Sequence, residues 1–297
     1  MGIELRELTA ADLPAAHALL VACDLDVAAA VAEEKLFGAA PGGAASSVFG
    51  ALEAGELVGL SVGSARWIRL LAVAPQARRR GIGTALLAAA ESAIEGAIAR
   101  TMDQPGNYLA PGVDVRNLET IGWLERRGYR AQRENSNLVI DLVDNPRVSD
   151  ARGRELYRRA ERQGYELRRA DDADAGALAE AVGGAFGHSW AFEVERALGG
   201  DPPGVHLALQ NGAIAAFAAH DGNNRGLGWF GPAGTLEAHR GKGLGEALYI
   251  ACLLDLVALG RRDCTVAWAG PREFYRRAAG IAREEHFVVM TKELERS

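Results

Sequence analysis

The chain carries one pattern twice. Glu4-Leu5-Arg6 returns as Glu166-Leu167-Arg168, 162 residues later. Asp12, placed to cap an apolar-periodic helix, returns at the same spacing as Asp174, and Ala85-Leu86 returns as Ala247-Leu248. Between them Arg78-Arg79-Arg80-Gly81-Ile82-Gly83 is matched by Arg240-Gly241-Lys242-Gly243-Leu244-Gly245, again 162 residues on. A constant spacing kept over some 80 residues is the signature of a duplicated unit. The later match of Gly128 with Gly280 has slipped to 152 residues, so the second copy is ten residues shorter beyond the glycine motif.

This repeat divides the 297 residues into a first domain over 1–145, a joining helix within 146–164 and a second domain over 165–297. The joint opens on the turn signal Asp144-Asn145-Pro146. Ser149 then caps a helix running to about Gln163, with Gly164 as its stop. Each copy shows the same order. A short strand (residues 3–8 and 165–169) leads into one or two helices, followed by an antiparallel set. In the first copy that set covers 47–52, 57–64 and 67–73; in the second, 205–209 and 213–219 flank the hairpin signal Asn211-Gly212. The glycine motif comes next. It is followed by an Ala/Leu-rich helix (83 to about 100; 245 to about 259), a further strand, a helix and a closing strand. A meander that gives way to alternating strands and helices specifies a layered α/β (α+β) fold with a mixed, mostly antiparallel sheet flanked by helices.

In each copy the glycine motif sits where a strand ends and a helix begins. The free N–H groups and positive dipole end of a helix's first turn attract anions. Glycine lets the backbone close on phosphate oxygens, and arginine adds charge-assisted hydrogen bonds. The expected ligand is a pyrophosphate. A P-loop is excluded because Lys242 is followed by Gly243 and not by Ser or Thr. A dinucleotide fingerprint is excluded because Leu86 and Leu248 stand where its third glycine belongs.

The pattern that remains, Arg78-x-x-Gly81-x-Gly83 and Arg240-x-x-Gly243-x-Gly245, resembles the acyl-CoA pyrophosphate loop of the GNAT acetyltransferase superfamily. Over nearly its whole length the chain looks like a tandem of two GNAT domains, an arrangement similar to that of the mycothiol synthases, where the second domain is the active one. The resemblance implies acetyl-CoA, or another acyl-CoA, as cofactor. In the first copy it implies contacts from Leu71, Ala72, Val73, Arg78, Arg79, Arg80, Gly81, Ile82, Gly83, Thr84 and Asn117. In the second it implies contacts from Thr235, Leu236, Arg240, Gly241, Lys242, Gly243, Leu244, Gly245 and Glu246.

The family's second signature is Asn-x-x-Ala-x-x-x-Tyr followed by glycine and an aromatic. The first copy keeps Asn117, Gly128 and Tyr129 but has Thr120 for the alanine and Leu124 for the tyrosine. The second copy keeps Tyr275 and lacks the asparagine. In such enzymes the amine attacks the thioester directly. The reaction then needs a neutral amine, a backbone donor for the oxyanion and a proton for the departing thiolate. The resemblance assigns the oxyanion donor to the strands around Leu71–Val73 and around residues 234–236, and the thiolate's proton to Tyr275, since a phenol with pKa near 10 stays protonated at neutral pH. The second copy is therefore the expected catalytic half and the first a scaffold or weak binder. A competing reading is a non-catalytic acyl-CoA sensor.

No general base stands out. Glu193, Glu195 and His188 fall in the variable region of the second copy and read as surface residues, and Glu237 as part of the loop structure. His206, His220 and His239 have no metal-ligand spacing, and no metal is expected. Trp190, Trp229 and Trp268 are expected in the core, and Cys252 and Cys264 as buried spectators. Thirty-three basic against 39 acidic residues give a net charge of −6, which argues against nucleic acid and suits an amine as the small-molecule acceptor. The start of the sequence lacks the apolar run of a signal peptide, no window of about 18 apolar residues could span a membrane, and three scattered cysteines point to the reducing cytoplasm. Monomer and homodimer both fit the sequence.

Overall fold

The structure is a computed structural model that describes residues 2–25 and 27–295, so residues 1 and 297, the outer limits of the two expected domains, lie outside it. In chain order the first repeat gives β1 (Ile3–Glu7), α1 (Leu13–Ala22), α2 (Ala29–Phe37), β2 (Ser47–Glu53), β3 (Glu56–Ser64), β4 (Trp67–Val73) and α3 (Ile82–Ser92). It continues with β5 (Ile98–Thr101), β6 (Val113–Asp114), α4 (Leu118–Glu125) and β7 (Arg130–Asp141). Then come α5 (Asp150–Glu161), β8 (Glu166–Arg169), α6 (Ala175–Phe186), α7 (His188–Leu198), β9 (Val205–Gln210), β10 (Ala213–His220) and β11 (Trp229–Thr235). The chain closes with α8 (Leu244–Ala258), β12 (Asp263–Val266), α9 (Arg272–Ala278) and β13 (Arg283–Glu293).

Among the described residues two compact units form, one of those up to 135 with those from 286 onward, the other of residues 136–285. They do not coincide with the repeat boundaries. Residues 286–293 of β13, the closing strand of the second repeat, pair with β6 (Val288 with Val113) and β5 (Thr291 with Arg100) in the first unit. Residues 138–141 of β7, the closing strand of the first repeat, pair with β12 (Leu138 with Val266, Asp141 with Asp263) in the second. Each repeat thus gives its last strand to the other's unit. Alternation along a strand encodes which face is buried, not which neighbour it will pair with, so the exchange leaves no mark in the sequence pattern.

The sheet of the first unit runs β1-β2-β3-β4-β5-β13, and that of the second β8-β9-β10-β11-β12-β7. Neighbours are antiparallel except β4 with β5 and β11 with β12. This is the mixed, mostly antiparallel arrangement expected. The helix after the first glycine motif is shorter than its composition suggests, ending at Ser92 where residues to about 100 were expected. Glu95 N–H turns back to the Ala65 carbonyl, and residues 98–101 extend beside β4.

Packing fixes the glycine-loop helices on their sheets. A Cβ on Gly59 of β3 would lie 2.8 Å from Leu86 Cδ1, so α3 sits closer to the sheet than any larger residue would allow. In the second unit α8 buries Leu244, Leu248, Ile250, Leu253 and Leu256, each stabilising by about 1.5–3 kcal/mol relative to exposure. Helix α5, capped by Ser149 as expected, packs through Gly153 against Leu254 and Ile250 of α8. It is an integral layer of the second unit.

Candidate functional site

Parallel pairing of β4 with β5 covers only Trp67–Arg100 and Ile68–Thr101, and pairing of β11 with β12 only Trp229–Thr265 and Phe230–Val266. Past those residues one edge of β4 and one edge of β11 lose their neighbour. A register shift in the ladder with the preceding strand, between Val62 and Gly63 and again between Ala218 and His220, re-aims each backbone at that point.

Strand parity then tells which N–H groups face the opening. Ala74 N–H bonds to the Val58 carbonyl, so in the alternating antiparallel pattern Ala72 also faces β3, while Leu71 and Val73 face outward. Leu236 N–H bonds to the Ala215 carbonyl at 2.9 Å, which leaves Ala233 and Thr235 facing outward. Two sequence expectations change accordingly. Leu236 has no free donor and is the counterpart of Ala74, and the backbone of Ala72 belongs to the sheet. Ala233, the counterpart of Leu71, was missed, although the 162-residue spacing applied to Leu71 points straight at it.

Both loops have the same build. Arg78 Nε donates to the Val73 carbonyl at 3.0 Å and Arg240 Nε to the Thr235 carbonyl at 3.4 Å, folding each turn back on its strand. Gly81 (φ +84°) and Gly243 (φ +83°) cap the following helices in the left-handed conformation. Arg79 (φ +64°) takes that conformation at a cost where the second loop has Gly241 (φ +77°). The N–H groups of Arg79 to Gly83, and of Gly241 to Gly245, have no acceptor among the described residues. A Cβ on Gly83 or Gly245 would meet nothing nearer than 3.6 Å. Packing within the protein does not demand glycine there, whereas a phosphate resting on those N–H groups would. The residues present fit a pyrophosphate.

Other expected contacts are engaged. Thr84 N–H is tied to the Gly81 carbonyl, and its Oγ1 accepts from Arg127 Nη2 at 2.5 Å. Glu246 holds Arg152 of α5 at 2.5 Å. Asn117 caps α4 by accepting from Thr120 N–H, with its amide nitrogen left over. Leu244 and Ile82 are buried and offer only backbone. The loop cations also differ. In the first loop Arg79 pairs with Glu119 and Arg80 with Glu53; in the second, Arg240 and Lys242 have no carboxylate partner among the described residues.

The two units part most clearly beside the strand edges. Arg69 of β4 is fully buried, its Nε bonded to Gln104 Oε1 at 2.7 Å and its Nη1 to the Lys35 carbonyl at 2.9 Å, with Lys35 itself paired to Glu34. Burial pulls this guanidinium down to about 10. The equivalent residue on β11 is Gly231, and a Cβ there would have nothing within 4 Å. Tyr275, on α9, is half-buried and packs edge-on against Phe230 of β11 (6.3 Å between centroids) and Tyr249 of α8 (5.3 Å). Its hydroxyl has no partner among the described residues, and burial pushes it up to about 12. Leu124, at the matching place in the first copy, lies in a closed apolar cluster.

Around Gly234 an aromatic wall rises, with Phe186 stacked on Trp190 at 5.2 Å and both edge-on to Phe217. His188 and Glu195 are exposed, while Glu193 is buried, against expectation, because α7 turns it toward the chain around Gly222. His206 and His220 share Asp255 at 2.7 and 3.2 Å, and His239 bonds to the Tyr165 hydroxyl at 3.0 Å. Cys252 and Cys264 are fully buried, and burial raises both thiols. No helix among the described residues is long and apolar enough to cross a membrane.

Residues 44–131 match the family model of the acetyltransferase (GNAT) domain. The first unit therefore carries a GNAT acetyltransferase domain, spanning β2 to the first residues of β7. The chain as a whole has the fold of tandem GNAT proteins: a tandem GNAT protein from the clavulanic acid biosynthesis pathway superposes with TM-score 0.70 at 19% identity, over 100% of both chains. A GCN5-related N-acetyltransferase from Sphaerobacter thermophilus matches with TM-score 0.66 at 19% identity, over 99% of this chain and 96% of its own. The GCN5-related glucosamine N-acetyltransferase region of a fungal multi-domain GH3 β-N-acetylglucosaminidase matches with TM-score 0.75 at 17% identity; it covers 98% of this chain, which spans 38% of that protein. Among curated proteins there is no match.

Proposed function

We propose that the chain is an acetyl-CoA-dependent N-acetyltransferase whose second unit transfers the acetyl group directly to a primary amine of a small molecule. The observation that carries this reading is the contrast at one strand position. Beside β4 the space is filled by the Arg69 network, while beside β11 Gly231 leaves it open, next to the only copy of the motif that has a tyrosine.

The cofactor supplies a thioester carbonyl, which the amine attacks. The second loop's N–H groups bind the pyrophosphate, with Arg240 and Lys242 adding charge. The N–H of Ala233, unpaired at the strand edge, donates to the carbonyl oxygen as it gains negative charge. Tyr275 gives its phenolic proton to the departing thiolate. The balance closes when the new N–C bond forms, the C–S bond breaks, the nitrogen's surplus proton passes through water back to the Tyr275 phenolate, and free thiol and amide leave. A phenol with its pKa near 12 is protonated at every physiological pH, as that role requires. Three free cysteines, two of them sealed in the core, suit a reducing cytoplasm.

The test is thiol release from acetyl-CoA across a panel of small amines, with Tyr275→Phe as the variant. Turnover should fall by about 10²-fold or more while the acetyl-CoA Kd stays within about twofold. Equal turnover in the variant removes Tyr275 from the chemistry. Cofactor binding without thiol release on any amine leaves an acyl-CoA sensor.

A further inference from the structure

At the first glycine loop one guanidinium arrives from outside the loop. Arg127, just past α4, bonds Thr84 in the first turn of α3 and lies over the Trp123 ring at 4.2 Å. Aligning Gly128 with Gly280 puts Ala279, a buried alanine, at its counterpart in the second copy. The second loop nonetheless has an outside guanidinium. A Cβ on Gly243 would lie 3.9 Å from Arg159 Cζ, at the end of α5. Gln163, bonded to the Arg159 carbonyl at 3.1 Å and to the Lys242 carbonyl at 3.2 Å, holds that end of α5 on the loop.

Arg159 has no carboxylate partner among the described residues, nor have Arg240 and Lys242 beside it. Two cations of the loop sequence and a third that reaches its Gly243, none with a carboxylate partner among the described residues, suit a bound polyanion. Helix α5 lies between the two repeats and outside the segments that the 162-residue spacing matches.

We infer that Arg159 is a phosphate-binding residue of the second loop and takes the place left by the alanine at 279. The inference rests on the reading of that loop as the acetyl-CoA site. The helix that joins the repeats then completes the cofactor site of the second unit.

Binding to the full-length chain by isothermal titration tests this, using acetyl-CoA and acetyl-3′-dephospho-CoA against wild type, Arg159→Gln, Arg159→Lys and Arg127→Gln. Arg159→Gln should raise the Kd at the second site, and the KM in turnover, at least tenfold with kcat within twofold. Arg159→Lys should fall between the two. An equal loss for both cofactors assigns Arg159 to the pyrophosphate, and a loss confined to acetyl-CoA assigns it to the 3′-phosphate. If Arg159→Gln binds and turns over as wild type does, the inference fails and the functional reading stands. If binding is lost in Arg127→Gln and spared in Arg159→Gln, the cofactor sits at the first loop alone and both fail.

Discussion

Arg69 and Gly231 occupy the same position in the two repeats, one as a guanidinium sealed in a hydrogen-bonded network, the other as a glycine facing open space. Buried polar packing fills the space beside this position in the first repeat, and the second repeat leaves it open.

Removing the Arg69 guanidinium leaves the buried Gln104 side chain and the Lys35 carbonyl without their donor. Arg69→Met should destabilise the first unit by about 1–3 kcal/mol for each buried acceptor left unsatisfied. Guanidinium titration should show it, with turnover per folded molecule unchanged because the proposed site lies in the second unit. A midpoint equal to that of wild type would show the network to be dispensable.

Ala233→Pro deletes one N–H that no ladder uses, beside a proline already present at 232. The sheet should tolerate it, but kcat should drop by about 10²–10³, the effect of losing an oxyanion donor. Leu71→Pro makes the same deletion in the first unit and should leave kcat alone. Equal effects of the two substitutions on kcat would contradict a single catalytic unit.

Burial pulls His220 down, but hydrogen bonds to Asp221 and Asp255 together outweigh it and raise its pKa. Both ring nitrogens face carboxylates, at 3.0 and 3.2 Å, so both must donate and the ring is an imidazolium. Asp255 is likewise pushed up by burial and held well below its usual range by His206, His220 and Arg169. A group raised on folding stabilises fully below its unfolded pKa of about 6.5 and loses that contribution as pH rises through the folded value. The carboxylate behaves oppositely, its contribution fading as pH falls below about 3.9. NMR titration should keep the His220 ring protonated beyond pH 6.5. A midpoint at or below 6.5 would refute the imidazolium.

A chain ending at residue 145 lacks β13, and its β7 has no β12 to pair with. Unpaired edges of this kind associate. Such a fragment should aggregate, and adding a peptide of residues 283–295 should improve its solubility. A monodisperse, folded fragment alone would show the exchanged strand to be unnecessary.

Much of this was legible in the sequence because it is written locally. Arg78 and Arg240, the two left-handed glycines and the strand-to-helix change define the loops without any distant residue. Ala233 could be reached from Leu71 by the repeat spacing, but which N–H groups of β11 face outward depends on its pairing with β10, which the sequence of β11 does not show. Arg127 and Arg159 lie 43 and 84 residues from the loop residues they approach, Thr84 and Gly243, and only folding brings them there.

The exchanged strands also set the order of events on the ribosome. The first unit, although synthesised first, cannot close its sheet until residues 286–293 emerge, some 150 residues after the rest of it is made. For that interval its nascent β5 edge stays open, in need of protection by a chaperone or by speed. Selection on β13 is therefore selection on the folding of the first unit.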